Sequence, residues 1–223
     1  MKKHKNKGFK RALIIWVLSL AIIYSYKGFN AYATNEEIEK ITNIPNQHEI
    51  SYSSDDLYRQ DYNGCGPFSA AVMRILLNED VDSLQVSAAM PLRIPRRKST
   101  IPEGIEKYLR NQWISVSTPK LEHLSDEEKL NYLRYHVSQD HPIILLVDLW
   151  WYQHFFTLLG YNTKRMERYI YDSIEKRGEE GHTLDRNGER TGNRTRTDRD
   201  LLKAWNNWGA FGFYDNYALI ASK

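Results

Sequence analysis

A chain of 223 residues, 41% hydrophobic and 13% aromatic, has enough apolar side chains for one full core. Twelve glycines and seven prolines exclude a collagen-like, low-complexity or wholly disordered chain. The formal charge of +3 comes from one end: residues 1–33 hold seven Lys and Arg and no acid, and without them 24 basic residues face 28 acidic ones, a net of −4. A weakly acidic body lacks the electrostatic footprint of a nucleic-acid binder, so no nucleic-acid partner is expected.

The first element in chain order is an address. A basic tract, Met1–Arg11, precedes Ala12–Tyr24, a run of thirteen residues interrupted only by Ser19. A bilayer-spanning helix needs about 20 apolar residues, whereas the apolar region of a secretory signal has roughly 7–15. Ala31-Tyr32-Ala33 then supplies a small-x-small cleavage site, with Thr34 as the expected first mature residue. Lys27 and the long stretch from Tyr24 to Ala33 leave an uncleaved signal-anchor as the alternative. The expectation is a secreted or extracytoplasmic protein, touching the membrane only through residues 12–24 if they are retained. Residues 1–33 form the targeting segment, and 34–223 a single domain.

Within that domain, Asn35–Ile41 reads as a short helix and Pro45–Asp61 as polar and turn-rich. Gly64-Cys65-Gly66-Pro67 is strong punctuation, after which Phe68, Ala71, Val72, Ile75 and Leu76 recur at helical spacing, predicting a helix over 67–77. Further helices are expected at Ser83–Ala89, Pro102–Asn111 and Asp126–Ser138, with a strand at Trp113–Ser117. Pro142–Leu149 is continuously apolar, as in a central strand, and Phe155–Tyr161 and Arg168–Tyr171 follow closely enough for an antiparallel meander. Glu175–Asp200, with four glycines and dense charge, reads as an exposed loop. Leu201–Trp208 reads as a helix and Tyr217–Ala221 as a closing strand. The class is α+β, with N-terminal helices packed on a C-terminal, mostly antiparallel sheet.

The single cysteine, Cys65, cannot form an intramolecular disulfide. A lone thiol in an exported protein is either a small buried hydrophobe or a reactive group. Its position at the predicted start of a helix favours the thiolate, because the helix N-terminus carries partial positive charge. A nucleophilic thiolate needs a histidine base from elsewhere in the fold. Of seven histidines, His4 lies in the targeting segment, His48, His123, His136 and His182 stand in polar surroundings, and His141 precedes a proline. His154 differs, standing at the entrance of an apolar strand. Asp172 ends the next strand, so a hairpin brings it beside His154, where it could orient the imidazole. By spacing alone Asp172 also reads as a strand-end residue capping a turn. Gln60 could donate its amide to an oxyanion, or be a polar loop residue.

Gln60–Leu77 (QDYNGCGPFSAAVMRILL) resembles the Cys-Gly-Pro start of papain-like cysteine peptidases of the C39 type, in their stand-alone, bacteriocin-leader-peptidase-like form. His154–Asp172 (HFFTLLGYNTKRMERYIYD) is similar to the family's His-strand, Gly-Tyr and strand-Asp arrangement, and Gly104–Asn111 (GIEKYLRN) to its intervening helix. The resemblance spans about residues 58–173. It departs from the family at Ser173, where proline is usual, and at Phe68, where a small residue is usual. It implies a papain-like fold and cleavage of peptide bonds, with Cys65 as nucleophile, His154 as base, Asp172 as orienting group and Gln60 as oxyanion donor. Peptide or protein substrates are the implied partners. A non-catalytic peptide-binding module on the same fold, or a thiol acyltransferase, are the alternatives.

No cofactor or metal is expected: the sequence has no Cys cluster, no His pair at ligand spacing, no His-Glu-x-x-His and no glycine-rich phosphate loop. Trp150-Trp151-Tyr152, just before His154, is an aromatic cluster suited equally to core packing or to lining a substrate cleft.

Overall fold

The computed structural model describes residues 41, 44–52, 57–60, 62–149, 152–174, 194–206 and 214–223. The targeting segment, residues 35–40 of the helix expected at Asn35–Ile41, Trp150, Trp151, residues 175–193 and the last two residues of the helix expected at Leu201–Trp208 lie outside them. In chain order the elements are β1 (Gln47–Glu49), α1 (Cys65–Leu76), α2 (Ser83–Ala89), α3 (Pro102–Asn111), β2 (Ser115–Ser117) and α4 (Asp126–Ser138), then β3 (Ile143–Asp148), β4 (Gln153–Asn162), β5 (Glu167–Tyr171), β6 (Arg194–Thr197), α5 (Asp198–Trp205) and β7 (Ala218–Ser222).

Most helices start where a side chain satisfies a first-turn amide. Asp82 accepts from the Leu84 N–H at 2.7 Å and opens α2. Pro102 occupies the first turn of α3, where its missing N–H is no loss. Ser125 and Glu128 form a reciprocal capping box on α4. Thr197 accepts from the Asp200 N–H at 3.1 Å and opens α5. Helix α1 differs: Gly64 precedes it and no side chain caps it. It is also buried around nearly its whole circumference, as expected for a helix apolar on all sides.

The strands form an antiparallel sheet in the order β2-β7-β3-β4-β5-β6, with β1 paired to the far end of β4. The continuous apolar run of β3 is explained by its central place, since both its faces are covered. Ile144 and Leu146 pack with Ala70, Met73, Ile105 and Leu109 of the N-terminal helices. Ile143, Leu145 and Val147 join Leu133, Val137, Leu201 and Trp205 of α4 and α5. Each such buried aliphatic side chain contributes about 1.5–3 kcal/mol relative to exposure. The architecture is α+β, with helices first and an antiparallel sheet after, as the hydrophobic pattern predicts.

Two expectations are corrected. Pro45–Asp61 is not turn alone: Gln47–Glu49 forms β1, held by pairing with Gly160–Asn162. Nor is Glu175–Asp200 loop to its end. Arg194–Thr197 pairs with β5 as β6, and α5 begins at Asp198. The charges that read as solvated are in part paired and buried. Asp198 Oδ2 lies 2.8 Å from Arg134 Nη2, and its Oδ1 lies 2.7 Å from Arg168 Nη1. Arg168 has only 1% of its surface exposed.

Candidate active site

Cys65 is the first residue of α1. The helix seats closely because Gly66 has no side chain: a Cβ there would stand 3.0 Å from Thr100 Cβ and 3.4 Å from a Phe155 ring carbon. Reciprocal hydrogen bonds at 3.4 Å, Ser69 Oγ to the Phe155 carbonyl and Thr157 Oγ1 to the Ser69 carbonyl, fasten α1 to β4. The same contact sets Cys65 against His154, the second residue of β4.

His154 is fully buried, and its Nε2 donates to Asp172 Oδ1 at 2.9 Å. The ring is held edge-on by Phe156, 5.1 Å between centroids, and by Tyr152 at 6.2 Å. Its other nitrogen, Nδ1, is buried and has no hydrogen-bond partner. Cys65 and the His154 ring influence each other's ionisation, each favouring the other's charged form. Cys65 itself is partly buried, whereas His154 and Asp172 are buried.

Asp172 reaches His154 through a register shift. At the turn end of the β4–β5 hairpin, Tyr161 pairs with Arg168 and Gly160 with Tyr169; beyond an irregularity, Leu158 pairs with Ile170 and Thr157 with Tyr171. One extra residue, Leu159, sits on β4. Because side chains alternate between faces, a one-residue slip changes which face each partner occupies. With the bulge, Asp172 falls on the same face as Phe156 and His154. Without it, the register set at Tyr161 would turn Asp172 to the opposite face. Gly160, next to this irregularity, lets β1 approach closely, since a Cβ there would lie 2.7 Å from the His48 carbonyl oxygen of β1.

Asp172 is held by more than His154. Its Oδ1 accepts from the Ile174 N–H at 3.1 Å, and its Oδ2 lies 3.3 Å from Arg194 Nε. Burial would raise this carboxyl, but the hydrogen bond and charge of His154, with Arg194 and the Ile174 amide, bring it below its ordinary value. Burial likewise opposes ionisation of His154, yet its hydrogen bonds to Asp172 and Cys65 and their negative charge lift it to about 9. The Cys65 thiol is pushed up by burial and drawn down further by His154 and by backbone hydrogen bonds at Phe155 and Gly66, with a net lowering. The three groups favour a thiolate, an imidazolium and a carboxylate together.

Gln60 does not join this line directly. Its backbone N–H donates to the Ser173 carbonyl at 3.1 Å, and its side-chain Oε1 accepts from Ser173 Oγ at 2.6 Å. Arg194 is the site neighbour that sequence reasoning missed, because its segment reads as charged loop. The alternation of Thr195 and Thr197 with arginines was the available strand signal. Of the aromatic cluster before His154, Tyr152 is 47% exposed at the rim of the site. Among the described residues, no group of His, Cys, Asp or Glu is arranged to hold a metal ion, and no helix is long and apolar enough to cross a membrane.

No protein-family model matches the chain. No curated protein sequence matches it either. Among solved structures it is similar to xylellain, a cysteine protease from Xylella fastidiosa, with a TM-score of 0.44 and 11% identity over 87% of this chain and 91% of that one.

Proposed function

We propose that this chain is a thiol hydrolase working through Cys65, His154 and Asp172. More particularly, we read it as an exported, papain-like cysteine peptidase of the C39-like type that cleaves peptide bonds. The observation that carries the reading is the buried 2.9 Å bond from His154 Nε2 to Asp172, with Cys65 and His154 each drawing the other toward its charged form. Orienter, base and nucleophile then lie in series, the arrangement thiol catalysis needs.

In this mechanism the Cys65 thiolate attacks the scissile carbonyl carbon. A C–S bond forms and the carbonyl π pair moves to oxygen, where the Cys65 backbone N–H and the Gln60 amide stabilise it. The C–N bond breaks as the oxyanion collapses, and the imidazolium of His154 gives its proton to the leaving amine. His154, now neutral, takes a proton from water, whose oxygen attacks the thioester. The C–S bond breaks, and the carboxylic acid and the starting ion pair are restored. Asp172 keeps the ring in the productive tautomer and stabilises its charge.

The rate of Cys65 alkylation by iodoacetamide against pH tests this reading. The expected rate rises through a thiol titration lowered from its ordinary value and is already high at neutrality. A slow reaction that is flat around neutrality would instead assign the cleft to binding without chemistry.

A further inference from the structure

We infer that Arg196 is a specificity-determining residue of the site: its half-buried guanidinium, which lacks a counterion, receives a carboxylate of the substrate, so that acidic peptides are preferred. This deepens the hydrolase reading above and rests on it.

Strand β6 places two arginines on the catalytic face. Arg194 pairs with Ile170 and Arg196 with Arg168, and residues directly opposite on neighbouring strands share a face. Ile170 and Arg168 alternate in step with Asp172, so this is the face that also carries Phe156 and His154. The guanidinium carbon of Arg196 lies 5.0 Å from the centre of the Phe156 ring, which lies 5.1 Å from the His154 ring. An extended peptide advances about 3.3 Å per residue, so a substrate residue within about three positions of the scissile bond reaches that far. Tyr152, at the rim, feels both groups. Burial raises its hydroxyl, the charges of Asp172 and Cys65 raise it further, and those of Arg194 and Arg196 oppose them.

The nearby carboxylates are already engaged. Asp172 is shared by His154 at 2.9 Å and Arg194 at 3.3 Å. Asp198 is shared by Arg134 at 2.8 Å and Arg168 at 2.7 Å. Among the described residues no carboxylate forms an ion pair with Arg196, and its buried Nε has no hydrogen-bond partner. Stacking on Phe156 offsets only part of the cost of desolvating a cation. Arg168, directly opposite, is a like charge that adds to this cost. A substrate carboxylate supplies the missing counterion, and a guanidinium suits it because its planar fork can donate two parallel N–H bonds.

The test uses the whole protein and the peptide it cleaves best, with Glu or Gln placed in turn at each of the three positions on either side of the scissile bond. The wild type is expected to favour Glu over Gln in kcat/KM about ten- to a hundredfold at one of these positions, the range of a hydrogen bond to a charged group. Arg196→Met, which still covers Phe156, and Arg196→Gln are each expected to bring that ratio close to one, whereas Arg196→Lys is expected to keep most of it. No preference for Glu at any position in the wild type, or a preference that survives loss of the charge at Arg196, would overturn the assignment and leave the hydrolase reading intact. A wild type that cleaves no peptide would overturn that reading, and the subsite with it.

Discussion

Replacing Asp172 by Asn separates the charge of the orienting group from its hydrogen bond. The amide oxygen can still accept from His154 Nε2, now held at 2.9 Å by the carboxylate, so the ring keeps a partner. The charge is gone. The lift of His154 from 6.5 to about 9 corresponds to roughly 3 kcal/mol favouring the imidazolium, and it is shared between Asp172 and Cys65. Losing the Asp172 charge lowers the His154 titration. Arg194, whose Nε lies 3.3 Å from Asp172 Oδ2 in the native site, adds to the fall, because its charge then faces the imidazolium without a counterion. The sign is definite: a base whose pKa falls loses its proton at lower pH, so the ion pair disappears from the alkaline side. The assay is the Cys65 alkylation rate across pH 5–10, with turnover on a peptide substrate beside it. The alkaline limb is expected to move from about 9 toward neutrality, with turnover at neutral pH reduced about ten- to a hundredfold. His154→Ala is expected to fall to the level of Cys65→Ala. An alkaline limb unmoved in Asp172→Asn would refute the assignment of Asp172 as the third member.

Gly160→Ala places a Cβ 2.7 Å from the His48 carbonyl and is expected to lower stability by about 1–3 kcal/mol in thermal melting and to slow Cys65 alkylation, since the bulge sets the face of Asp172; an unchanged alkylation rate would separate the bulge from the site. Asp198→Asn leaves the guanidiniums of Arg134 and Arg168 without their carboxylate and is expected to cost about 3–5 kcal/mol in denaturant unfolding while leaving alkylation below the melting temperature unchanged. N-terminal sequencing of protein recovered outside the cytoplasm is expected to begin at or near Thr34, whereas an intact Met1 would establish an anchored chain.

The helices were legible because their signals are local. Ser83–Ala89, Pro102–Asn111 and Asp126–Ser138 carry a cap, a first-turn proline or a capping box next to an apolar stripe, and the structure places them at those residues. The apolar run of β3 likewise announced a strand covered on both faces. What escaped depends on partners far along the chain. β1 is three residues, QHE, with no alternation to reveal it, and it exists because Gly160 lets its backbone approach β4. β6 and the first residues of α5 look like solvated loop until Asp198 is seen between the buried Arg168 and the partly buried Arg134. In the site, the pairing of His154 with Asp172 was readable from a hairpin. Its register was not, because counting residues cannot locate the extra residue at Leu159 that puts both side chains on one face. The tie between Gln60 and Ser173 spans 113 positions and had no sequence signal.

The central claim is that Cys65 is a nucleophile that cleaves peptide bonds, and cleavage profiling on a diverse peptide library, wild type beside Cys65→Ala, tests it most directly. Cys65→Ala removes one sulfur from a half-buried position and leaves the helix start in place, so the fold is expected to persist. The wild type is expected to produce defined cleavage products that the variant does not produce. Equal cleavage by both proteins, or none by a wild type whose Cys65 alkylates rapidly at neutral pH, would contradict a thiol peptidase.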